Sequence, residues 1–380
     1  MKKLVFLTAT RAEYGKIKAI LEHLQKKGDV EFHIFVTGMH MLEKFGYTYR
    51  EIIKDGFSNV VLDEDYLYSP KMDMCMSYVM ASFSRFVRSI NPDMIIVHGD
   101  RLDAFAGAVV GAFNHILVAH LEGGELSGTI DESIRHAVSK LSHLHFVAND
   151  EAKRRLMQLG ESEETIHIIG SPDIDVMLDT EKLDTLDSVL KHYDIPFRDY
   201  GILLYHPVHS EIQNIQIYIK TVVESLIHSD KNFIVIYPNN DPGNESIRAE
   251  YIRLHSHPHF RVLPSLRFER FLVLLKHASF IIGNSSAGVR EACVYGVPAI
   301  DIGSRQQARY NVDTLKNIIH VQHDKEEICK AISDAHNHSI QCMHFGAGGS
   351  AEAFYNLIHD PALWETPLQK RFMDLELSNV

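Results

Sequence analysis

Short apolar runs rich in β-branched residues alternate with longer amphipathic runs along almost the whole chain. This alternation is typical of a parallel α/β sheet, in which each buried strand is followed by a helix. Strands are predicted near residues 4–8, 32–36, 94–97, 116–120, 145–148, 166–169, 202–205, 233–237, 260–263, 280–283, 299–302 and 318–321. Helices are predicted between them, for example over 71–90 and 131–141.

The alternation of predicted strands and helices is interrupted once, over residues 178–200. This segment contains acids and a proline but no strand pattern, so we interpret it as a linker. A chain of 380 residues is long enough for roughly two domains. The sequence therefore predicts an α/β protein with one Rossmann-like domain over 1–177 and a second over 201–360. Residues 361–380 are predicted to form a helix that crosses back to the first domain.

Composition and charge argue against several classes of partner. The formal net charge is −12 and no basic tract stands out, which argues against nucleic acid. No apolar run approaches the roughly 20 residues of a membrane helix, and charged residues directly follow the short apolar run at the N-terminus. The 4 cysteines are scattered without a C-x-x-C pair, which predicts no zinc site. We therefore expect a cytoplasmic protein that does not bind membranes.

Acidic residues follow two neighbouring strands of the first half. One strand runs into His98-Gly99-Asp100-Arg101 and the next into His120-Leu121-Glu122, with Asp131 at the start of the following helix. Ligands bind at the carboxyl ends of parallel strands, so Asp100, Glu122 and Asp131 are predicted to gather in one cleft. Their mutual repulsion would raise some of their pKa values and suit them to proton transfer. Helix capping is the alternative role, but three acids favour chemistry.

Other strand ends carry residues that suit an anionic ligand. Arg11 and Gly15 lie where the first strand turns into a helix, in an arrangement that is neither G-x-G-x-x-G nor a P-loop. NAD and ATP hydrolysis are therefore disfavoured. In the second half, Ser285 and Ser286 open a helix after a strand, and their hydroxyls and amides suit a diphosphate. Glu291, about two turns into that helix, suits ribose hydroxyls.

Three more residues follow strands of the second half. His206 is a candidate phosphate contact or proton donor, and Asn239 is a candidate base or phosphate contact. Arg305 follows the strand near 299–302 and lies beside the same predicted site. For His206 and Asn239 a structural role is the alternative.

In this order and spacing the motifs resemble the UDP-N-acetylglucosamine 2-epimerases, and their hydrolysing branch in particular. The hydrolysing branch is favoured by Ala12-Glu13-Tyr14-Gly15, where the other branch usually has Arg-Pro-Glu, and by His206-Pro207-Val208, where it has His-Arg-Arg-Glu. Two departures from the pattern are Glu13, where Asp is common, and Gln307-Ala308, where Lys-Gly is common. The resemblance covers nearly the whole chain, through segments 10–16, 98–101, 120–125, 131–136, 206–208, 283–288 and 303–307.

The resemblance implies a GT-B fold with a cleft between its two domains and with UDP held mainly by the second. It implies conversion of UDP-N-acetylglucosamine and water to N-acetylmannosamine and UDP through a glycal, without metal or cofactor, for sialic acid biosynthesis. A homodimer or homotetramer is expected. The implied catalytic residues are Asp100, Glu122, Asp131 and His206. The implied UDP-binding residues are Arg11, Gly15, Arg101, His206, Asn239, Ser285, Ser286, Glu291 and Arg305.

Other functions fit the same motifs. Relatives acting on a UDP-2,4-diacetamido-6-deoxy sugar, on the route to legionaminic acid, share them. A GT-B glycosyltransferase would have a similar donor site, but the acid group in the first domain counts against it. A non-hydrolysing epimerase would accumulate UDP-N-acetylmannosamine, and a sensor of nucleotide sugars would bind its ligand without turnover.

Overall fold

The computed structural model describes residues 2–69, 71–127, 130–179, 183–239 and 242–374. The chain divides into two compact units. The first contains Met1–Asp175 and Phe345–Val380, and the second contains Val176–His344. Each unit has its own parallel sheet.

The first unit is built on a seven-stranded sheet whose order is β3-β2-β1-β4-β5-β6-β7. All neighbouring strands run parallel. The order reverses between β1 and β4, and such a reversal marks the usual ligand site of open α/β sheets. The strands are β1 (Lys3–Thr8), β2 (Glu31–Val36), β3 (Val60–Leu62), β4 (Met94–His98), β5 (Leu117–Leu121), β6 (Leu144–Val147) and β7 (Ile166–Ile168). The helices are α1 (Arg11–Lys27), α2 (Tyr49–Lys54), α3 (Met72–Ile90), α4 (Leu102–Phe113), α5 (Ile130–Leu141), α6 (Asp150–Gln158) and α7 (Pro172–Leu178).

The second unit repeats this plan with a six-stranded sheet of order β10-β9-β8-β11-β12-β13, again parallel throughout. Its strand order reverses between β8 and β11. The strands are β8 (Gly201–Leu204), β9 (Phe233–Ile236), β10 (Phe260–Leu263), β11 (Phe280–Gly283), β12 (Ala299–Ile302) and β13 (Ile318–Val321). The helices are α8 (Leu186–His192), α9 (Ile215–His228), α10 (Asn244–Ile252), α11 (Phe268–Lys276), α12 (Ser286–Val289), α13 (Glu291–Tyr295) and α14 (Lys325–Asp334), and α15 (Ser350–His359) follows in the first unit.

The structure confirms the predicted α/β class with two Rossmann-like domains of the GT-B type. Every predicted strand is present, with its ends shifted by at most one residue. The strand that the sequence pattern missed, β3, has only 3 residues, too few to display a period. No helix in the described part of the chain is both long enough and apolar enough to span a bilayer.

The domain boundaries differ from the predicted ones. Residues 345–360, predicted in the second domain, belong to the first unit. The carboxylate of Asp175 accepts hydrogen bonds from the amides of Ser350 and Ala351, at 3.0 and 2.8 Å, and so caps α15. Phe354 of α15 then enters the core of the first unit, where its ring lies 5.1 Å from that of Phe146. The predicted linker 178–200 contains α8, and its residues 180–182 lie outside the described residues.

The predicted C-terminal helix is wrong over residues 366–374. Within the described part of this segment, Pro361–Glu365 forms a helical turn of 3-10 type, and residues 366–374 have no regular structure. Pro367 explains this ending, because proline lacks an amide donor and disfavours a helical conformation in the residue before it. Residues 375–380 lie outside the described part of the chain.

Candidate active site

The structure brings two of the predicted acids of the first unit to one buried arginine. Asp100 follows β4 and Glu122 follows β5, the neighbouring strand. Arg135 of α5 donates from Nη2 to Asp100 Oδ2 and from Nη1 to the carbonyl oxygen of Glu122, the latter at 2.5 Å. Ser127 Oγ donates to the same Asp100 oxygen at 2.7 Å. One guanidinium therefore fixes both strand ends.

Glu122 is held tightly at its side chain and at its backbone. Its Oε2 lies 3.0 Å from Lys16 Nζ and 3.1 Å from His98 Nε2, while its Oε1 accepts a hydrogen bond from the hydroxyl of Ser171. The residue is buried and has a φ of 60°, in the left-handed region that non-glycine residues rarely adopt. Such strain is characteristic of functional positions, where the surroundings impose the conformation.

Arg101 links the remaining acid to this group. It is the N-cap residue of α4 and directly follows Asp100. Burial disfavours the charged form of Arg101 and by itself would lower its pKa. Nearby carboxylates have a larger, opposite effect, so that the pKa of Arg101 is raised; they belong to Glu13, Asp131, Asp103 and Asp100. The negative charges of Asp100 and of Asp131, which lies in the first turn of α5, therefore both stabilise the charged guanidinium of Arg101.

Two further buried carboxyls lie around Arg101. Burial and the Asp103 carboxylate raise the pKa of Glu13, although the amides of Ala9 and Thr10 donate to its Oε2 at 2.9 and 3.0 Å. Burial likewise raises the pKa of Asp103, and the Arg101 guanidinium opposes that rise. The sequence analysis assigned no chemical role to either residue.

Cations compensate the negative charges of the predicted acids, although only repulsion among these acids was predicted. Lys16 and Arg135, neither of which was singled out, contact Glu122 and Asp100. A signal for Arg135 was available, because it lies four residues after Asp131 on a predicted helix and so shares its face. That repulsion raises the pKa values of the three acids stays a prediction.

The two remaining predicted residues of the first unit lie on α1. Arg11 opens the helix, and its Nη2 forms an ion pair with Glu51 Oε1 of α2 at 2.8 Å. Gly15 lies one turn further along. α1 starts here because Thr10 and Glu13 form a capping box. Binding of UDP by Arg11, Gly15 or Arg101 stays a prediction.

In the second unit, His206 is a neutral imidazole of defined tautomer. The amide of Asn239 donates to its Nδ1 at 3.0 Å. Burial, assisted by the positive charge of Arg305, lowers the pKa of His206 to about 3. The single ring proton is therefore on Nε2, which makes His206 a hydrogen-bond donor through that atom.

Asn284 connects three loops of the second unit. Its side chain accepts from the amide of His206 at 2.7 Å and donates to the carbonyl of the same residue at 2.9 Å. Its own carbonyl accepts from Arg305 Nη1 at 3.0 Å and from Gln306 Nε2 at 2.9 Å. The loops after β8, β11 and β12 thus meet at one buried residue, through its side chain and its backbone carbonyl. Asn284 and Gln306 lie within the motif segments 283–288 and 303–307, but no role was predicted for either.

Gly283 makes this meeting possible. Its φ is 137°, and a Cβ atom at this position would lie 2.2 Å from the carbonyl oxygen of Leu204. Only glycine permits that approach of β11 to the end of β8.

Ser285, Ser286 and Glu291 follow Gly283 as predicted, but the helix is interrupted. Ser285 is the N-cap of α12, and its hydroxyl accepts from the amide of Ala287 at 3.3 Å. α12 ends at Val289, so the buried Glu291 opens a separate helix, α13, and is not two turns into a continuous one. Arg290, with a φ of −92° and a ψ of −59°, is the single residue between the two helices.

A second network supports the loop that carries Arg305. Asp301, the third residue of β12, accepts from the hydroxyl of Tyr310 at 2.7 Å and lies 3.3 Å from His320 Nδ1. Gln307 Nε2 lies 2.8 Å from the other ring nitrogen of that histidine. No group of three or more His, Cys, Asp or Glu within the described ranges is arranged to hold a metal ion.

Comparison with known proteins identifies the family. The UDP-N-acetylglucosamine 2-epimerase family matches residues 22–359. A UDP-N-acetylglucosamine 2-epimerase of Neisseria meningitidis serogroup B is 45% identical over 99% of this chain and 100% of its own. A hydrolyzing UDP-N,N'-diacetylbacillosamine 2-epimerase of Legionella pneumophila is 33% identical, covering 97% and 99%. Polysialic acid biosynthesis protein P7 of Escherichia coli is 30% identical, covering 88% and 86%.

Solved structures show the same fold. The UDP-GlcNAc 2-epimerase of Methanocaldococcus jannaschii, in complex with UDP-GlcNAc and UDP, has a TM-score of 0.79 at 24% identity and covers 94% of this chain and 99% of its own. Together with the family match over most of the sequence, these similarities show that the chain is an enzyme of the UDP-N-acetylglucosamine 2-epimerase family.

Proposed function

We propose that the chain is a hydrolysing UDP-N-acetylglucosamine 2-epimerase, which converts UDP-N-acetylglucosamine and water to N-acetylmannosamine and UDP. The observation that carries the proposal is that Arg135 binds the carboxylate of Asp100 and the backbone carbonyl of Glu122, and so holds two acids at neighbouring strand ends. Two acids at neighbouring strand ends suit a reaction in which a proton leaves one face of a carbon and another returns to the opposite face. The similarity to the hydrolyzing Legionella relative supports this mode.

The proposed reaction is an elimination followed by a hydration. The C1–O bond breaks and its electron pair leaves with UDP, so that positive charge develops at C1 and acidifies the C2 hydrogen. One carboxylate takes that hydrogen as a proton, and its former bonding pair forms the C1–C2 double bond of a glycal. Water then bonds to C1 and gives up a proton, while a second acid of the group Asp100, Glu122 and Asp131 protonates C2 from the opposite face.

The proposed UDP contacts divide between the two units. In the second unit, His206 would donate from Nε2 to the diphosphate, together with Arg305, Ser285 and Ser286, while Asn239 holds His206 and Glu291 accepts from ribose hydroxyls. Donors fixed before the reaction stabilise the charge of the leaving group. With a pKa of about 3, His206 acts as a hydrogen-bond donor and not as a general acid near neutral pH. Arg11, Gly15 and Arg101 are the proposed contacts from the first unit.

Solvent deuterium tests the mechanism directly. The enzyme is incubated with UDP-N-acetylglucosamine in D₂O without any sugar acceptor, and UDP release and the released sugar are followed by NMR. We expect N-acetylmannosamine with deuterium at C2, because the original hydrogen goes to a carboxylate and its replacement comes from solvent. A product that keeps protium at C2 would overturn the proposal. Release of UDP without an acceptor also separates it from a glycosyltransferase, and accumulation of UDP-N-acetylmannosamine would indicate a non-hydrolysing epimerase.

A second substrate is supported by the Legionella relative, which is named for UDP-N,N'-diacetylbacillosamine. UDP release measured across a panel of UDP-sugars separates the two candidates. We favour UDP-N-acetylglucosamine because the Neisseria relative has the higher identity, 45% against 33%. A role in sialic acid synthesis is supported by the name of the Escherichia coli relative. A cytoplasmic homodimer or homotetramer completes the proposal.

A further inference from the structure

The C-terminal tail (366–374) attaches to the C-terminal end of α5. Lys370 Nζ donates to the carbonyl oxygens of Ser139 and Ser142, at 3.2 and 2.6 Å. The carbonyl of Leu368 accepts from His143 Nε2 at 3.0 Å. The tail therefore supplies donors to a helix end although it has no regular structure of its own.

That helix end needs such donors. If α5 continued, the amide of His143 would bond to the carbonyl of Ser139, but it donates to Val118 of β5 at 2.8 Å. The last carbonyls of a helix have no partner within the helix, and a cation there is also favoured by the helix dipole. Lys370 supplies both the hydrogen bonds and the charge.

Lys370 also compensates a buried carboxylate. It pairs with Glu161, whose side chain is 2% exposed and which also lies 2.7 Å from Lys140 Nζ and 3.1 Å from His145 Nε2. Burial alone would raise the pKa of Glu161, but the His145 hydrogen bond and the charges of Lys370 and Lys140 lower it to about 2. Removing one partner of a buried ion pair is strongly destabilising.

Contacts lead from this helix end to the acids. Ser139 Oγ lies 3.0 Å from His120 Nδ1, and His120 Nε2 lies 2.8 Å from the carbonyl of Gly99, next to Asp100. A carbonyl can only accept, so His120 carries its proton on Nε2 and Ser139 donates to Nδ1. One turn before Ser139, Arg135 binds Asp100 and the backbone of Glu122.

We infer that Lys370 is a positioning residue for the acid–base group, and that it acts by fixing the end of α5 whose other contacts set Arg135 and Asp100. The inference rests on the proposed function, because the role of the acids is its premise. The C-terminal tail would then affect catalysis, although it contains none of the predicted site residues.

The test compares Lys370→Met with Arg371→Met, a matched change at the next, exposed residue of the same tail. In the full chain, well below the unfolding temperature, we expect Lys370→Met to lower kcat by about 10- to 100-fold, the usual cost of a lost supporting contact. KM and UDP affinity should change little, because Lys370 is not one of the proposed UDP contacts. Arg371→Met should match the wild type. A residue needed only for stability would lower the melting temperature without changing kcat of the folded enzyme.

A double variant separates charge from position. Adding Glu161→Gln to Lys370→Met removes the buried carboxylate that has lost one of its two lysine partners, and should restore stability but not kcat. Recovery of kcat would assign the effect to the buried charge and overturn the inference. If Lys370→Met does not fold, Ser139→Ala is measured in its place, because it breaks the next contact without unpairing Glu161, and unchanged kcat there would also overturn it.

Asp100→Asn is measured alongside. If it keeps full turnover, Asp100 is not a member of the acid–base group, and the premise of the inference fails. If it is inactive while Lys370→Met turns over like the wild type, only the inference about Lys370 fails.

Discussion

The two units hold their candidate site residues by different means. In the first unit the means is charge, with Arg135 on Asp100 and Lys16 on Glu122 in buried surroundings. In the second unit it is mainly uncharged hydrogen bonding, with the amide of Asn284 holding the backbone of His206. A buried ion pair is costly to break, whereas a neutral hydrogen bond contributes modestly. The difference teaches that two sheets of the same plan can hold the residues at their strand ends either by buried charges or by uncharged hydrogen bonds.

The largest expected effect tests the charged side of this comparison. Asp100→Asn, Glu122→Gln and Asp131→Asn should each lower turnover by about 10²–10⁴-fold, the usual contribution of a general acid or base. UDP affinity should change little, because none of the three is a proposed UDP contact. UDP release gives the turnover, and calorimetry gives the affinity. The exposed Glu352, replaced by Gln, is the matched control. Near-normal turnover in all three variants would contradict the assignment.

The uncharged hydrogen bonds of Asn284 in the second unit predict a change in UDP affinity when they are altered. Asn284→Asp keeps the size of the side chain but replaces its donor to the His206 carbonyl with an oxygen. We expect UDP affinity to fall by about 10- to 100-fold, since an unsatisfied buried polar group costs about 1–3 kcal/mol. Calorimetry measures this, with the exposed Asn337→Asp as control. Unchanged affinity would show that the loop after β8 does not depend on this side-chain amide.

Acid pH should act on both units alike. Burial is the largest cause that lowers the pKa of His120 in the first unit and of His206 in the second, each to about 3. Below pH 6.5, the ordinary pKa of histidine, these two side chains bind protons in the unfolded chain but stay neutral in the folded chain. Each residue should therefore cost about 1.4 kcal/mol of stability per pH unit as pH falls from about 6 towards 3.

Denaturant unfolding at several pH values measures this dependence. His206→Asn should reduce the slope, whereas the exposed His336→Asn should leave it unchanged. An equal slope in wild type and His206→Asn would argue that His206 is protonated in the folded protein.

The last expected effect is on stability alone and concerns Glu13, whose pKa is raised by burial although the Arg101 guanidinium opposes the rise. Its raised pKa means that the folded state keeps a proton that the unfolded state releases, so stability falls as pH rises above the usual value of 4.5. Glu13→Gln keeps an acceptor for the amides of Ala9 and Thr10. Its stability relative to wild type should therefore increase steadily between about pH 5 and pH 8. Glu352→Gln should gain nothing, and a pH-independent difference for Glu13→Gln would refute its raised pKa.

The sequence predicted where the strands lie and which residues follow them, because period and strand-end position depend on local order. It did not predict which partner each residue would find. Lys16 and Glu122 are separated by 106 positions along the sequence, and Asn284 and His206 by 78. Nor did any pattern indicate Lys370, because its contacts are made by a tail without regular structure in a segment that was predicted to be a helix. Pro367, which ends the last helical turn, was in contrast visible as a helix breaker.

The three loops that meet at Asn284 have a consequence for protein engineering. Because the loop after β11 contacts both the loop after β8 and the loop after β12, a graft of any one of them from a relative would carry mismatched contacts to the other two. Chimeras that take one of these loops from a relative should therefore exchange all three together. A redesign of these loops keeps their mutual contacts when Gly283, Asn284, Arg305 and Gln306 are left unchanged.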